Sequence, residues 1–451
     1  MKKINQKNCG EILIEKIRKR QAKLAIIGAG YVGLPTVALF AEAGFPAIAI
    51  DIRPELINGL NKGCVDTNEP GLNDLVHRNV LNGRLKGYLV RQLDFKQVDV
   101  ILIAVQTPIG ENNEPCLRYL MKVLETVGKT MQRGTLVVLI STIPPGTTLN
   151  EVKPNLESLS NLEVERDFYL AYVPERIAPG KAITEFVEGT RLIGGVGQNS
   201  TNIASELFAA ICKNLIKTNA TTAEIAKLAE NTFRDLNIAF ANELALICEQ
   251  LGADVENVIK LANTHPRVKI HVPGPGVGGP CLPKDPYFLI NSLVMPCDII
   301  RAARKLNDYM SEHIIQIIKN ALNFVEKDIS TSKIAILGTA YKRDTDDSRL
   351  SPAYPIIAKL LDLGAQVNVY DSWCKESFGA KRKDSLKEAV EGADCLVTIT
   401  DHTEFIDMNL EEIKLLMNCK PIIVDGRRII NPKDAKTLGF FYHGIGYGDF
   451  T

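Results

Sequence analysis

The sequence predicts an α/β protein: two doubly wound parallel sheets with helices on both faces, joined by a central all-helical domain. Three observations predict it. Short apolar runs alternate with helical patterns through the first half of the chain. A stretch from residue 221 keeps helical spacing without glycine or proline until its end at Gly252. The opening theme then returns, "KIAILGTAYKRDTDDSR" from residue 333 answering "KLAIIGAGYVG" from residue 23.

Taken in order, "MKKINQKNCGEILIEKIRKRQ" is basic but lacks an apolar core, so it reads as an amphipathic lead-in helix, not a secretory signal. "KLAIIGAG" (23–30), "LPTVALFAEAG" and "FPAIAID" give strand, tight turn, helix, strand. Further strands are expected at 98–105, 134–142, 167–173 and 191–196, with helical stretches between them, which is the alternation of a covered parallel sheet. "TTAEIAKLAENTFRDLNIAFANELALICEQLG" is one long helix, its threonine-rich start offering an N-cap with Glu224 shortly after. A second long helix runs through "IIRAARKLNDYMSEHIIQIIKNALNFVEK"; such helices bridge domains or form an oligomer interface. The repeat supplies strands at 333–338, 365–371, 394–400 and 421–427, and "FYHGIGYGDFT" ends the chain as a last strand and tail. The expected domains are a helical extension (1–22), a first nucleotide domain (23–215), a helical domain (216–328) and a second nucleotide domain (329–451).

Composition narrows the function classes. With 451 residues, two or three domains are expected. Lys+Arg and Asp+Glu both number 53, so there is no global basic footprint for nucleic acid. No apolar run is long enough to span a bilayer. The 10 cysteines show no CxxC and no metal-ligand spacing, which predicts reduced thiols, a cytoplasmic setting and no metal site. Cys212, Cys248 and Cys395 stand in apolar surroundings and read as small core residues.

Gly28, Gly30 and Gly33 make G-x-G-x-x-G between a strand and a helix, and Asp51 ends the next strand. In that setting the glycines let a pyrophosphate approach the backbone, and the carboxylate takes a ribose hydroxyl; this is a Rossmann-type NAD site. Asp51 favours NAD over NADP because it repels a 2′-phosphate, while Arg53 two residues on weakens that preference. The second loop, Thr339 to Arg343, is bulky and basic. It binds a phosphate through side chains in one reading and is a solvated turn in the other.

"PGPGVGGPCLPKD" (273–285) is too rich in glycine and proline for a helix or a central strand. It is a shaped loop carrying Cys281, with Lys284 and Asp285 beside it and Lys227 and Asn231 one turn apart on the long helix. On composition alone, an inert thiol and a nucleophile are equally open. An NAD fold with a nucleophilic thiol suits a double oxidation: alcohol to aldehyde, then thiohemiacetal to thioester, then hydrolysis to an acid.

These pieces together resemble the UDP-glucose/GDP-mannose dehydrogenase family over nearly the whole chain. The motifs are "GAGYVGLP" (28–35), "VQTP" (105–108), "STIPPG" (141–146), "PERIAPGKA" (174–182), "AEIAKLAENTFRDLNIAFANEL" (223–244), "THPRV" (264–268), "PGPGVGGPCLPKDP" (273–286), "YKRDTDDSRLSP" (341–352), "TDHTEF" (400–405) and "VDGRR" (424–428). The resemblance implies two Rossmann-like domains around a helical dimerisation domain, hence a homodimer or higher homo-oligomer. It also implies oxidation of C6 of a nucleotide sugar to the uronate with two NAD. It makes Cys281 the nucleophile, Lys227 and Asn231 acid/base and oxyanion helpers, and Asp285 the carboxylate that assists hydrolysis. Tyr31, Val32, Asp51, Thr107, Thr142 and Arg349 become cofactor contacts. Glu175, Arg176 and Ile177 line the sugar site, with Glu175 a catalytic candidate; Arg234, Gly278, Tyr341, Lys342 and Arg427 are substrate-anchoring candidates. His265 and Arg267 match residues that reach a neighbouring subunit's site.

Within the family, members acting on UDP-glucose tend to read "NPEFLAEG" where this chain has "VPERIAPG". Arg176 and Pro179 are similar to the UDP-N-acetylmannosamine branch, and an arginine suits an acetamido carbonyl. That branch tends to read "GGHCIPVDP", whereas Pro280 and Lys284 stand here, the lysine nearer the UDP-glucose pattern. The expected substrate is therefore a UDP-N-acetylhexosamine, UDP-N-acetyl-D-mannosamine first, with UDP-N-acetylglucosamine and UDP-glucose as alternatives.

Overall fold

The computed structural model describes residues 8–90, 95–178, 180–291 and 295–448. Pro179, the N-terminal residues 1–7 and the tail 449–451 lie outside them. The chain divides into two compact units, Met1–Ala229 with Tyr287–Val294, and Glu230–Pro286 with Met295–Thr451.

The first unit is built on strands β1 (Leu24–Ile27), β2 (Ala47–Asp51), β3 (Leu85–Leu89), β4 (Val100–Ile103), β5 (Leu136–Leu139), β6 (Tyr169–Tyr172), β7 (Thr190–Gly195) and β8 (Asn214–Asn219). They lie in the order β3-β2-β1-β4-β5-β6-β7-β8. Strands β1, β4, β5 and β6 are buried along their whole length, because helices cover both faces, so they read as unbroken apolar runs and not as alternation. All pairings are parallel except one. Strand β7 runs antiparallel to β6, with Ala171 opposite Gly195, where an all-parallel sheet was expected. Strands β3 and β8 carry polar residues at the sheet edges, and β8 takes the sheet past residue 215, the expected end of this domain.

The lead-in helix forms as Cys9–Arg18, opened by a capping box between Asn8 and Glu11. Its Leu13 and Ile17 are buried in the core that includes Ile203 and Leu207. Each such burial is worth about 1.5–3 kcal/mol. Arg18 bonds Glu206 at 2.9 Å and Lys16 bonds Asp99 at 2.6 Å, so the extension is docked on the sheet unit.

The second unit holds strands β9 (Lys333–Leu337), β10 (Gln366–Tyr370), β11 (Lys381–Arg382), β12 (Cys395–Thr398), β13 (Ile422–Asp425) and β14 (Phe441–Gly444). Their order, β11-β10-β9-β12-β13-β14, repeats that of the first six strands, so each sheet has a switch point beside its first strand. The helices Ala220–Leu251 and Asp298–Phe324 form as expected. The helix start differs in detail. Asn219, not a threonine, accepts the Thr222 amide at 2.8 Å. Glu224 turns instead to the "PPGTT" loop, accepting from the Gly146 amide at 2.6 Å and the Thr148 amide at 2.9 Å.

Cys212, Cys248 and Cys395 are buried, and no disulfide joins the described residues. Among those residues no helix is long and apolar enough to cross a membrane.

Candidate active site

The carboxyl ends of β1 and β2 shape a phosphate turn. Gly28 has φ +95°, and a Cβ there would lie 2.5 Å from the Ala104 carbonyl oxygen. A Cβ on Gly33 would lie 1.9 Å from the Gly28 carbonyl oxygen, so only glycine lets the helix Gly33–Glu42 start this close to the strand. Around a Cβ on Gly30 there is nothing within 4 Å. Two glycines thus satisfy the protein, and Gly30 leaves backbone open to a ligand at a helix N-terminus. Tyr31 is half-exposed beside it, and Val32 precedes the first helical turn.

Asp51 is buried and accepts from the Ala29 amide at 3.0 Å, and from the Arg53 amide and Nε at 3.0 and 2.9 Å. Burial alone would raise its carboxyl, but the Arg53 and Ala29 hydrogen bonds hold it below the ordinary aspartate value. The acid is ionised and oriented, and Arg53 is its partner. Thr107 Oγ1 donates to the Thr142 carbonyl at 2.6 Å, which brings the candidates beyond β4 and β5 together at the same edge.

In the same unit the segment after β6 is pinned. Lys227 lies 3.1 Å from Glu175 Oε1, and both are largely buried. Glu175 Oε2 accepts the Ile177 amide at 3.0 Å, so one carboxylate turns its own loop and holds a cation. Arg176 is exposed and donates to the Thr190 carbonyl at 2.8 Å. Sequence reasoning missed three supports here. Buried Arg191 donates to the Pro174 carbonyl at 3.0 Å, Glu185 accepts the Ala178 amide at 2.6 Å, and buried Glu69 accepts the Gly180 and Ala182 amides at 2.9 and 2.6 Å. The buried position of Glu69 follows a loop with no periodic pattern, so nothing in the sequence flagged it.

In the second unit the cysteine loop is held by tertiary contacts. Asp285 has no exposed surface and accepts from Asn231 Nδ2 at 2.6 Å; Lys284 Nζ lies 3.5 Å from its other oxygen. The Cys281 carbonyl accepts the Lys284 and Asp285 amides at 3.0 and 2.8 Å, a tight turn that keeps this lysine and carboxylate next to the thiol's backbone. Gly279 donates to the Arg349 carbonyl at 2.9 Å, and Cβ atoms on Gly278 or Gly279 would each lie 2.7 Å from Tyr341. Gly278 is thus a packing glycine beneath Tyr341. Burial, then the charges of Asp347 and Cys281, push the Tyr341 phenol up. The Arg349 side chain is exposed, bonds Asp347 at 2.6 Å, and feels the charge of Cys281. Arg427 reaches the Ile399 carbonyl at 2.8 Å and lies over Gly274, where a Cβ would sit 2.8 Å from its Nη1. Arg234 and Lys342 are exposed, as are His265 and Arg267 on the turn after the helix Val255–Ala262.

The second loop repeats the first down to its hydrogen bonds. Gly28 donates to the Ile50 carbonyl at 2.8 Å, and Gly338 to that of Tyr370 at 3.0 Å. Asp371, the counterpart of Asp51, accepts the Thr339 and Ala340 amides at 2.7 and 3.0 Å. It differs in its partner, buried His402, whose Nδ1 accepts the Asp344 amide at 2.8 Å and whose Nε2–H therefore donates to Asp371 at 3.0 Å. No helix starts at this turn; the next, Ala353–Asp362, follows the basic loop.

One open phosphate turn with an ionised acid suits NAD, and a thiol loop packed on a basic turn suits a nucleotide-linked substrate. The chain is an NAD-dependent dehydrogenase, and it belongs to the UDP-glucose/GDP-mannose dehydrogenase family: the family's NAD-binding domain matches residues 22–212, its central domain 221–309 and its UDP-binding domain 335–432. It is 44% identical to a UDP-N-acetyl-D-mannosamine dehydrogenase of Pyrococcus horikoshii, over 95% of this chain and 100% of the relative. The solved structure of a UDP-D-ManNAc dehydrogenase from that organism matches with a TM-score of 0.89 at 43% identity, covering 95% of this chain and 100% of that one. An NDP-N-acetyl-D-galactosaminuronic acid dehydrogenase from Methanosarcina mazei matches with a TM-score of 0.88 at 34% identity, covering 99% of both chains.

Proposed function

We propose that this enzyme oxidises C6 of UDP-N-acetyl-D-mannosamine to the uronate through a thioester on Cys281. Bound NAD supplies the hydride acceptor for each of the two oxidations, and Gly30, Asp51, Thr107 and Thr142 are the residues that hold it, on a turn whose shape Gly28 and Gly33 permit. Loss of a hydride and a proton from the C6 alcohol leaves an aldehyde. The Cys281 thiolate adds to its carbonyl carbon, and the oxygen takes a proton to give a thiohemiacetal. Loss of a second hydride and that proton gives the thioester; water then cleaves the C–S bond, releasing the carboxylate and the thiol. Lys227, held by Glu175, exchanges the proton at the reacting oxygen, Asn231 donates to it, and Asp285 draws the proton from the hydrolytic water. Tyr341, Lys342, Arg427 and Arg234 anchor the nucleotide sugar, and Arg349 completes the cofactor contacts. Residues 23–219, 220–328 and 329–451 are the cofactor, helical and UDP-sugar domains, after an extension at 1–22.

The observation that carries the choice of sugar is Arg176, an exposed guanidinium on the pinned segment where UDP-glucose enzymes tend to read phenylalanine. An acetamido carbonyl gives it a strong acceptor, and a plain hydroxyl does not. The 44% identity to a UDP-N-acetyl-D-mannosamine dehydrogenase supports the same reading. The test is NADH production with UDP-N-acetylmannosamine, UDP-N-acetylglucosamine, UDP-N-acetylgalactosamine and UDP-glucose at equal concentration. The first should lead in kcat/KM, and Arg176→Phe should narrow its lead over UDP-glucose. Equal kcat/KM for UDP-glucose overturns the assignment.

The assembly is a homodimer or higher homo-oligomer formed through the helix Ala220–Leu251, on which Phe233, Phe240 and Ile247 are 64%, 49% and 45% exposed at heptad spacing. In that assembly His265 and Arg267 serve the neighbouring subunit's site. A reactive thiol suits a reducing, cytoplasmic setting, which supports that localisation.

A further inference from the structure

Cys281 sits in a loop whose glycines and prolines give it no secondary structure to hold its shape, so its position depends on tertiary hydrogen bonds. On the side of the loop that precedes the thiol, the Gly279 amide meets the Arg349 carbonyl, and the bonds further back come from buried side chains that no role yet accounts for. Asn242 Oδ1 accepts the Gly274 amide at 2.9 Å, and Ser311 Oγ donates to the Pro275 carbonyl at 3.0 Å. Asn242 Nδ2 donates to Asn307 Oδ1 at 2.9 Å. Asn307 Nδ2 in turn donates to Asp235, at 2.8 Å to Oδ1 and 3.0 Å to its carbonyl. Arg304 closes the chain on Asp235 Oδ1. Asp235, Asn242 and Asn307 have no exposed surface, and Arg304 has 2%.

The direction of this chain is dictated by charge. An ionised carboxylate only accepts, and Arg304 only donates, so Asp235 must face the amide NH2 of Asn307. That leaves Asn307 Oδ1 facing Asn242, which must answer with its own NH2. Asn242 Oδ1 is then the only group left to meet Gly274, whose N–H needs an acceptor. Had either amide been free to flip, two donors or two acceptors would meet in a buried site, at about 1–3 kcal/mol for each group left unsatisfied. One buried ion pair therefore decides the orientation of an amide two residues away in the chain of bonds, and that amide anchors the thiol loop.

We infer that Asn242, Asn307 and Ser311 are positioning residues for Cys281, with Asp235 and Arg304 setting their polarity. The inference rests on Cys281 being the nucleophile. The first oxidation does not need the thiol and the second does, so a displaced loop has a signature: aldehyde escapes, and NADH exceeds two per uronate.

The experiment measures NADH and uronate in parallel for wild type, Asn242→Leu, Ser311→Ala and Cys281→Ser, with KM for both substrates. Asn242→Leu is expected to release uronate about 10–100-fold more slowly, the effect of an ångström-scale misplacement. Its KM values should change less than about threefold, and its NADH:uronate ratio should rise above two. Ser311→Ala removes one hydroxyl and should move the ratio the same way by less, so it decides the question if Asn242→Leu does not fold. A ratio of two in both variants, whatever their rates or melting temperatures, overturns the inference and leaves these residues structural. Failure of the nucleophile reading looks different: Cys281→Ser would itself release uronate at the wild-type rate.

Discussion

Gly30 and Gly33 lie three residues apart in one turn, and alanine at each should break the enzyme in a different way. At Gly33 the new methyl carbon would lie 1.9 Å from the Gly28 carbonyl oxygen, a backbone atom that cannot rotate away. Restoring ordinary contact needs the helix Gly33–Glu42 to retreat by about an ångström from a strand against which Leu34, Val37, Ala38 and Ala41 are packed. Overpacking of this kind costs about 1–3 kcal/mol or more. In a unit of this size that lowers Tm by roughly 3–10 °C. At Gly30 the methyl meets no protein atom within 4 Å, so Tm should stay within about 1 °C. The space it fills is where a pyrophosphate comes against the backbone, so KM for NAD should rise at least about tenfold, or about 1.4 kcal/mol. Differential scanning fluorimetry and NAD titration on both variants check the pair. A Gly30→Ala enzyme with wild-type NAD affinity, or a Gly33→Ala enzyme with wild-type Tm, refutes the assignment of one glycine to the ligand and the other to packing.

Lys227→Ala should cut kcat at least about 100-fold with KM changed less than about threefold, because its interaction is strongest in the transition state; weakened binding with normal kcat at saturation would make it structural. Phe240→Glu should shift the species seen by sedimentation toward monomer, since it buries a charge at the centre of the apolar stripe; unchanged assembly removes that helix from the interface. Asp371 is held at about 2, from 3.8, by the His402 and backbone hydrogen bonds that overcome its burial. A depressed carboxyl stabilises the fold above the unfolded value and loses that stability as pH falls through the folded one. Asp371→Asn should therefore cost about 2 kcal/mol at neutral pH and flatten the loss of stability between pH 4 and pH 2. An unchanged acid transition in chemical denaturation contradicts it.

The parts legible in the sequence are those where one residue type has one physical use. The glycine triplet reads as one phosphate turn, and the structure divides it: Gly28 and Gly33 meet protein backbone, and Gly30 meets nothing within 4 Å. The β1 and β9 runs read as buried strands, because burial on both faces leaves an unmistakable apolar string. The internal repeat was visible at the level of motif, and the structure carries it to matched bonds at Asp51 and Asp371. What stayed hidden depends on partners distant in sequence. Strands β3 and β8 lie at sheet edges, where solvent permits polar residues and erases the pattern. The antiparallel turn of β7 against β6 left no trace in composition. Glu224 looked like a capping residue because its spacing suits one, yet its carboxylate closes a loop some seventy-six positions earlier in the chain. The Asp51–Arg53 pair was read as two separate specificity signals and is one interaction. Asn242 and Asn307 lie on ordinary helices, and only their meeting beneath Gly274 distinguishes them.

The central claim is that carbon is bonded to Cys281 during turnover, and the most direct measurement is to catch it there. Asp285→Asn keeps an amide in place of the carboxylate buried against Asn231 and removes the base proposed for hydrolysis, so the thioester should outlast its formation. Mixed with UDP-N-acetylmannosamine and excess NAD, quenched in acid and digested, this variant should yield a peptide whose Cys281 carries the acyl group of the sugar nucleotide, near one per subunit, with NADH in a burst of two per subunit. Continued uronate release with Cys281 unmodified would contradict the account.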